Sequence, residues 1–398
     1  MSVMFRRRVF FLPGFDPFPP RRYREIYRRE GAQQAQISGY GLQLRAGSSG
    51  TGWSVSGQFP QGNALSRIEV LVWSDLVRRS MSKGVGGTYG QLLRTAWIYI
   101  GSGALWRLAQ LRMAPVIAAL YPVVVLLGQL LLALVLGGLA GSVVIHWLAG
   151  WPGWLGAAVL VLLVVWVVLD WFRRHDHRVC AYYLMHDFAF TSQKRGAYPP
   201  ALDARLQDFT RQLTDALTEG CDEVLLVGHS SGAYLAASVM ADLVRAGHPR
   251  PDGPALSLLT LGHVVPMASF LPRAGRLRRD LALLSEQRDI FWLDVSAPGD
   301  ACCFGLCDPV AVTGVAGPGQ RWPLVISAAF SQTLSPAWQR RLRGQWFRKH
   351  FQYFHAFDRP GDYDYFAITA GTQTLAARFA GRRRSPGRIA RAVGPGLA

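Results

Sequence analysis

The sequence predicts an α/β protein built on a mostly parallel sheet and interrupted by an inserted pair of transmembrane helices. Three observations carry that expectation. From Leu202 onward, short apolar runs alternate with amphipathic stretches. Residues 114–169 contain no Lys, Arg, Asp or Glu. A Gly-x-Ser-x-Gly turn stands where an apolar run gives way to an Ala-rich one. The 398 residues therefore divide into an N-terminal part of the α/β unit (1–110), a helical hairpin (111–172), a C-terminal part of the α/β unit (173–380) and a disordered basic tail (381–398).

Taken in order, residues 9–12, 37–44 and 68–73 are short extended runs bounded by Gly, Pro, Ser or Asp, as strands are. Arg6, Arg7 and Arg8 ahead of the first run imitate a secretion signal, but Pro13, Gly14 and Asp16 cut its apolar part too short. A bilayer core needs about 20 apolar residues, and the uncharged stretch supplies two such segments, at 123–147 and 154–171. Residues 149–153 form the turn between them, with Trp151 suited to the head-group layer. Arg107 and Arg112 precede the hairpin, Arg173, Arg174 and Arg178 follow it, and the turn has no Lys or Arg. The positive-inside rule then makes both flanks cytoplasmic. His175-Asp176-His177 reads as a solvated juxtamembrane run.

After the hairpin, Leu202, Leu206, Phe209, Leu213 and Leu217 recur at helical spacing. Residues 224–227 are the unbroken apolar run of a strand buried on both faces. A helix at 233–245, a strand at 256–261, a helix at 277–284 and a strand at 290–295 continue the alternation, which is the pattern of a parallel sheet covered on both sides.

Composition narrows the function classes. Lys and Arg number 43 against 25 Asp and Glu, a net charge of +18, yet half the residues are hydrophobic and 17% are charged. That excludes a disordered polyelectrolyte, which needs low hydrophobicity. Only Lys83, Lys194 and Lys349 are lysines, so the base is arginine in an Ala-, Gly- and Pro-rich chain. This is the bias of a GC-rich coding sequence, and no nucleic-acid partner is expected, since no binding motif accompanies the charge. Cys180, Cys221, Cys302, Cys303 and Cys307 show no zinc spacing, so they read as reduced thiols, with neither metal nor cofactor expected.

The chemistry-bearing motif is Gly228-His229-Ser230-Ser231-Gly232, directly after the 224–227 strand. In G-x-S-x-G a sharp strand-to-helix turn lifts the serine out of the sheet, and small residues at both ends let the turn close. Ser230 then stands at a helix N-terminus, where the dipole favours developing negative charge.

On this motif and its context the chain resembles the α/β-hydrolase superfamily, of the serine lipase and esterase type, and is similar to that group's membrane-associated bacterial members. Phe11-Leu12-Pro13-Gly14-Phe15 resembles the family's strand and oxyanion loop, with Pro13 where a His is common. The resemblance implies an α/β-hydrolase-like sheet, a bacterial inner-membrane location with a cytoplasmic catalytic domain, and the order nucleophile, acid, histidine. Ser230 is the nucleophile in that order. Asp300, in the loop after the 290–295 strand, fits the acid best, with Asp294 and Asp308 as alternatives. His350 is preferred to His355 as the base. The N–H groups of Phe15 and Ser231 would hold the oxyanion. Residues 264–279 fall where family members carry a lid. The implied activity is cleavage of a hydrophobic or lipid ester through an acyl-enzyme; a thioesterase or acyltransferase, or a silent hydrolase fold tethering partners to the membrane, are the alternatives.

Overall fold

The computed structural model describes residues 4–47, 50–81 and 83–397. Its centre is a mixed, mostly parallel sheet of eight strands: β1 (Phe5–Leu12), β2 (Gly41–Ala46), β3 (Gly52–Phe59), β4 (Gly62–Val70), β5 (Glu223–His229), β6 (Ala255–Leu261), β7 (Ile290–Ser296) and β8 (Leu324–Ser327), in the order β2-β3-β4-β1-β5-β6-β7-β8. β4, β1 and β5 through β8 run parallel, while β2 and β3 pair antiparallel at one edge.

Strand residues alternate between two cores because successive side chains point to opposite faces. Phe10, Leu12, Leu226, Leu258 and Trp292 pack with the helices Pro200–Ala216, Ser231–Arg245 and Gly275–Glu286. Phe11, Val227, Leu261 and Val295 pack with Tyr23 and Tyr27 of the helix Arg21–Ser38 and with the chain from Phe330 to Phe379. Both faces are dry, which is why β5 to β7 read as continuous apolar runs. Part of the arginine excess is structural. Arg7 lies in β1 with its Nε 2.6 Å from Glu223 Oε2, both side chains fully buried, and the same Glu223 accepts from Ser257 Oγ and the Leu375 amide.

Between β4 and β5 in the chain come two helices long and apolar enough to cross a membrane, Met113–Trp147 and Trp151–Arg174, whose most apolar 18-residue stretches have mean hydropathy 2.6 and 2.5. They pack on each other at Gly137 and Gly141, which face Val161 and Ala157. Small residues there let the backbones approach.

The structure departs from the sequence reading at several points. Residues 37 and 38 end the helix Arg21–Ser38, and the strand begins only at Gly41. Gly39, with φ 75°, makes the break in the left-handed conformation. The first apolar helix starts ten residues before the expected span, carrying Pro122 within it. Residues 381–397 of the tail are not disordered, and residue 398 lies outside the described residues: Ser385 N–H donates to Val325 O, Ile389 N–H to Leu306 O and Gly394 N–H to Val312 O. The segment expected as a lid is largely core, with Phe270 and Leu271 buried.

Candidate active site

β5 ends at His229, and the helix Ser231–Arg245 starts two residues later, leaving Ser230 alone in the turn with φ 57° and ψ −123°. A non-glycine residue rarely holds this positive φ, and it persists only where its surroundings fix it. The surroundings are tight. A Cβ at position 232 would overlap the carbonyl oxygens of Leu12 and Pro13, and one at position 14 would stand 3.0 Å from Ser230 Cβ. Two glycines therefore let the loop after β1 lie directly against the serine.

That loop is pinned by its neighbours. Trp73 Nε1 donates to Pro13 O at 3.0 Å, Tyr183 Oη donates to Phe15 O and Tyr23 Oη donates to Asp16. The Phe15 N–H, expected to face an oxyanion, donates to Ser231 Oγ at 2.8 Å instead. Ser231 occupies the first helical position, where a backbone N–H has no acceptor within the helix. Of the two expected donors, one is thus engaged by a side chain and the other is free of intrahelical bonding.

Asp300 and His350 meet. His350 Nδ1 lies 2.7 Å from Asp300 Oδ2 with both side chains buried. Asp300 also accepts from the Cys302 N–H at 2.9 Å and from Tyr353 Oη at 3.1 Å. Burial works to raise this carboxyl, but the facing His350 and its hydrogen bond, with the Cys302 amide, outweigh it and hold it below its ordinary value. The His350 main chain is fixed as well, since His229 Nε2 donates to His350 O at 3.0 Å. Burial, with the neighbouring His350 adding to it, pushes His229 well below the usual histidine range, so His229 is neutral.

The alternatives have other partners. Asp308 caps the helix Pro309–Thr313 by accepting from the Val310 and Ala311 amides. Asp294, inside β7, accepts from Thr260 Oγ1 at 2.6 Å, and burial pushes it up to about 6. His355 turns its Nδ1 to Phe351 O at 2.7 Å. Asp176 of the His-Asp-His run accepts from the Tyr182 and Tyr183 amides, capping the next helix.

Ser230 and His350 line one cavity of about 360 Å³. No hydrogen bond joins Ser230 Oγ to His350 among the described residues, a link that in resting enzymes often tightens only around substrate. The remaining walls are mainly aromatic and aliphatic, with Phe15, Tyr183, Phe347 and Met267 among them. They include one carboxyl that the sequence gave no reason to single out: Asp187, on the helix Ala181–Ser192, which burial pushes up to about 7 against the pull of His350. Tyr353 and His229 were also missed as supports. Asp300, Cys302 and His350 offer ligand atoms within 4.8 Å of one another. A metal on Nδ1 would displace the hydrogen bond to Asp300, and burial pushes the Cys302 thiol up, away from the thiolate a metal prefers.

No protein-family model matches the chain, nor does any curated protein or solved structure.

Proposed function

We propose that the protein is a membrane-anchored serine hydrolase of α/β-hydrolase type, cleaving a hydrophobic or lipid ester at Ser230. The observation that carries this reading is a serine held at φ 57° in a strand-to-helix turn, sharing a cavity with a histidine whose far nitrogen meets a buried carboxylate. In this reading His350 takes the Ser230 proton through Nε2 as Oγ attacks the ester carbonyl. Asp300 fixes the imidazole tautomer and stabilises the imidazolium. Collapse of the tetrahedral intermediate returns the proton to the leaving alkoxide, and water, activated by the same His350, releases the acid. The Ser231 N–H at the helix N-terminus would stabilise the oxyanion. Phe15 N–H would join it once released from Ser231 Oγ; one such donor is worth about 10²- to 10³-fold in rate.

The two apolar helices would span the bilayer as an inserted hairpin, with both flanks cytoplasmic by the arginine distribution. The engaged Phe15 N–H and the open Ser230–His350 link favour, as a second reading, a silent hydrolase fold tethered to the membrane. Hydrolysis of p-nitrophenyl esters by the purified full chain separates the two. The hydrolase reading expects turnover that Ser230→Ala abolishes, and turnover equal in the two proteins would overturn it.

A further inference from the structure

Ser230 and His350 share their cavity with Pro115, Ala118 and Tyr121 of the first apolar helix. That helix has 35 residues, about 52 Å at 1.5 Å per residue, and exceeds a bilayer core of about 30 Å. The second has 24, about 36 Å, which nearly fits. Since Gly137 and Gly141 face Val161 and Ala157, Trp171 at the end of the second helix lies about level with Leu127 of the first. The excess length is therefore the N-terminal root of the first helix, and the root forms the cavity wall.

A second apolar surface starts at the same level. Tyr89, near the beginning of the helix Val85–Gly101, donates its hydroxyl to Leu126 O at 2.7 Å. One face of this helix is buried through Leu92, Thr95, Ile98 and Tyr99, while Leu93, Trp97 and Ile100 are 70%, 74% and 53% exposed. These three recur at spacings of four and three, so they form a single stripe. Trp106 in the following helix is exposed too, as are Ile117 and Leu120 on the root. The helix Val85–Gly101 touches the second apolar helix, and it packs on the helix Ala181–Ser192 that lines the cavity. Through the Tyr89–Leu126 hydrogen bond and its contact with the second apolar helix, the helix bearing the stripe adjoins the hairpin, and Arg94 on that helix and Arg107 on the next suit anionic head groups.

We infer that the Leu93, Trp97 and Ile100 face docks in the head-group layer of the bilayer beside the hairpin, seating the cavity on the membrane so that its substrate is an acyl-ester lipid taken at the root of the first apolar helix. The docking stands on the exposed face and on its helix adjoining the hairpin. The substrate class rests on the reading of Ser230 as a nucleophile. Tryptophan on such a face is the usual anchor at the membrane–water boundary, and an apolar cavity opening at that depth meets acyl esters at the level where they reside.

The test uses the full chain in nanodiscs of phosphatidylcholine and phosphatidylglycerol. Trp97→Cys, labelled with a small fluorophore and corrected for label on the unsubstituted chain, should be quenched at least twofold more by lipid carrying a spin label near its ester than Arg211→Cys labelled likewise. Equal quenching at the two positions overturns the docking, as does cross-linking of position 97 to a second copy. In parallel, Leu93→Gln/Trp97→Gln/Ile100→Gln should lower hydrolysis of a fluorogenic phospholipid in vesicles by roughly tenfold while fluorophosphonate labelling of Ser230 in detergent is unchanged. Unchanged phospholipid hydrolysis overturns the substrate assignment. If the triple variant also loses labelling, Trp97→Gln alone decides by the same two readouts. Failure of the unsubstituted chain to label defeats the hydrolase reading and its lipid substrate together, and the quenching still decides the docking.

Discussion

Asp300, which is buried, and Asp187, which is half-buried in the cavity wall, are two carboxyl groups that both interact with His350, and the protein treats them in opposite ways. Asp300 sits in a loop after β7 that turns an amide and a tyrosine hydroxyl toward it, and it is held ionised below its ordinary value. Asp187 projects from a helix into a largely apolar cavity, without a hydrogen-bond partner among the described residues, and burial pushes it up to about 7. The side chains are chemically identical. What separates them is the count of donors each backbone setting supplies, because desolvation alone always favours the neutral acid.

The largest effect expected from this contrast is Asp300→Asn. An amide there presents the wrong partner to His350 Nδ1, and on the proposed hydrolase reading ester hydrolysis should fall by about 10³- to 10⁴-fold with circular dichroism unchanged. A loss below tenfold would mean that Asp300 is not the group orienting the base. Tyr353→Phe should cost less. It removes one donor to Asp300 and the acceptor for the Ala297 amide, so the rate should drop by roughly tenfold and stability by about 1–3 kcal/mol. A rate loss without any loss of stability would contradict the double role given to the hydroxyl.

Smallest, and opposite in sign for the two acids, is the effect on stability against pH. Asp187 has a folded-state pKa raised from 3.8 to about 7. Its contribution is complete below the unfolded value and disappears as pH rises toward 7. Asp300 has a lowered one, so its contribution is complete above the ordinary carboxylate range and is lost as pH falls through the lowered value. Thermal melting of Asp187→Asn in detergent should therefore gain on the unsubstituted protein between pH 4 and pH 8, the range that brackets the ordinary and the raised value. A pH-independent difference would show that Asp187 is solvated like a surface acid.

The same contrast separates what the sequence disclosed from what it concealed. Strands β5 to β7 were legible because both faces are dry, and Ser230 was legible because its turn demands small residues at fixed positions. Asp300 could be chosen over Asp294 because it stands beyond a strand end rather than within it. Asp187 gave no signal, since a lone acid among Tyr, Leu, Met and Phe reads as the polar side of a helix until the fold shows what surrounds it. The helix Arg21–Ser38 was missed for a related reason. Its buried face includes Glu30 and Gln34, which accept from the amides of Ala356 and Phe357, so apolar periodicity never appears. The basic tail concealed its order similarly, because it is held mostly by main-chain hydrogen bonds that composition does not reveal. The first ten residues of the first apolar helix were not legible because a proline such as Pro122 usually marks a helix boundary, and here it is accommodated within the helix.

Ser230, His350 and Asp300 are proposed to work as one nucleophilic unit. The most direct test of this is the site and rate of covalent labelling of the detergent-solubilised full chain by a fluorophosphonate, mapped by peptide mass spectrometry. A single adduct on Ser230 is expected, absent in Ser230→Ala, slowed by about 10³-fold or more in His350→Ala and nearly unaffected in His355→Ala. No adduct on Ser230, or an adduct whose rate is indifferent to His350, would contradict it.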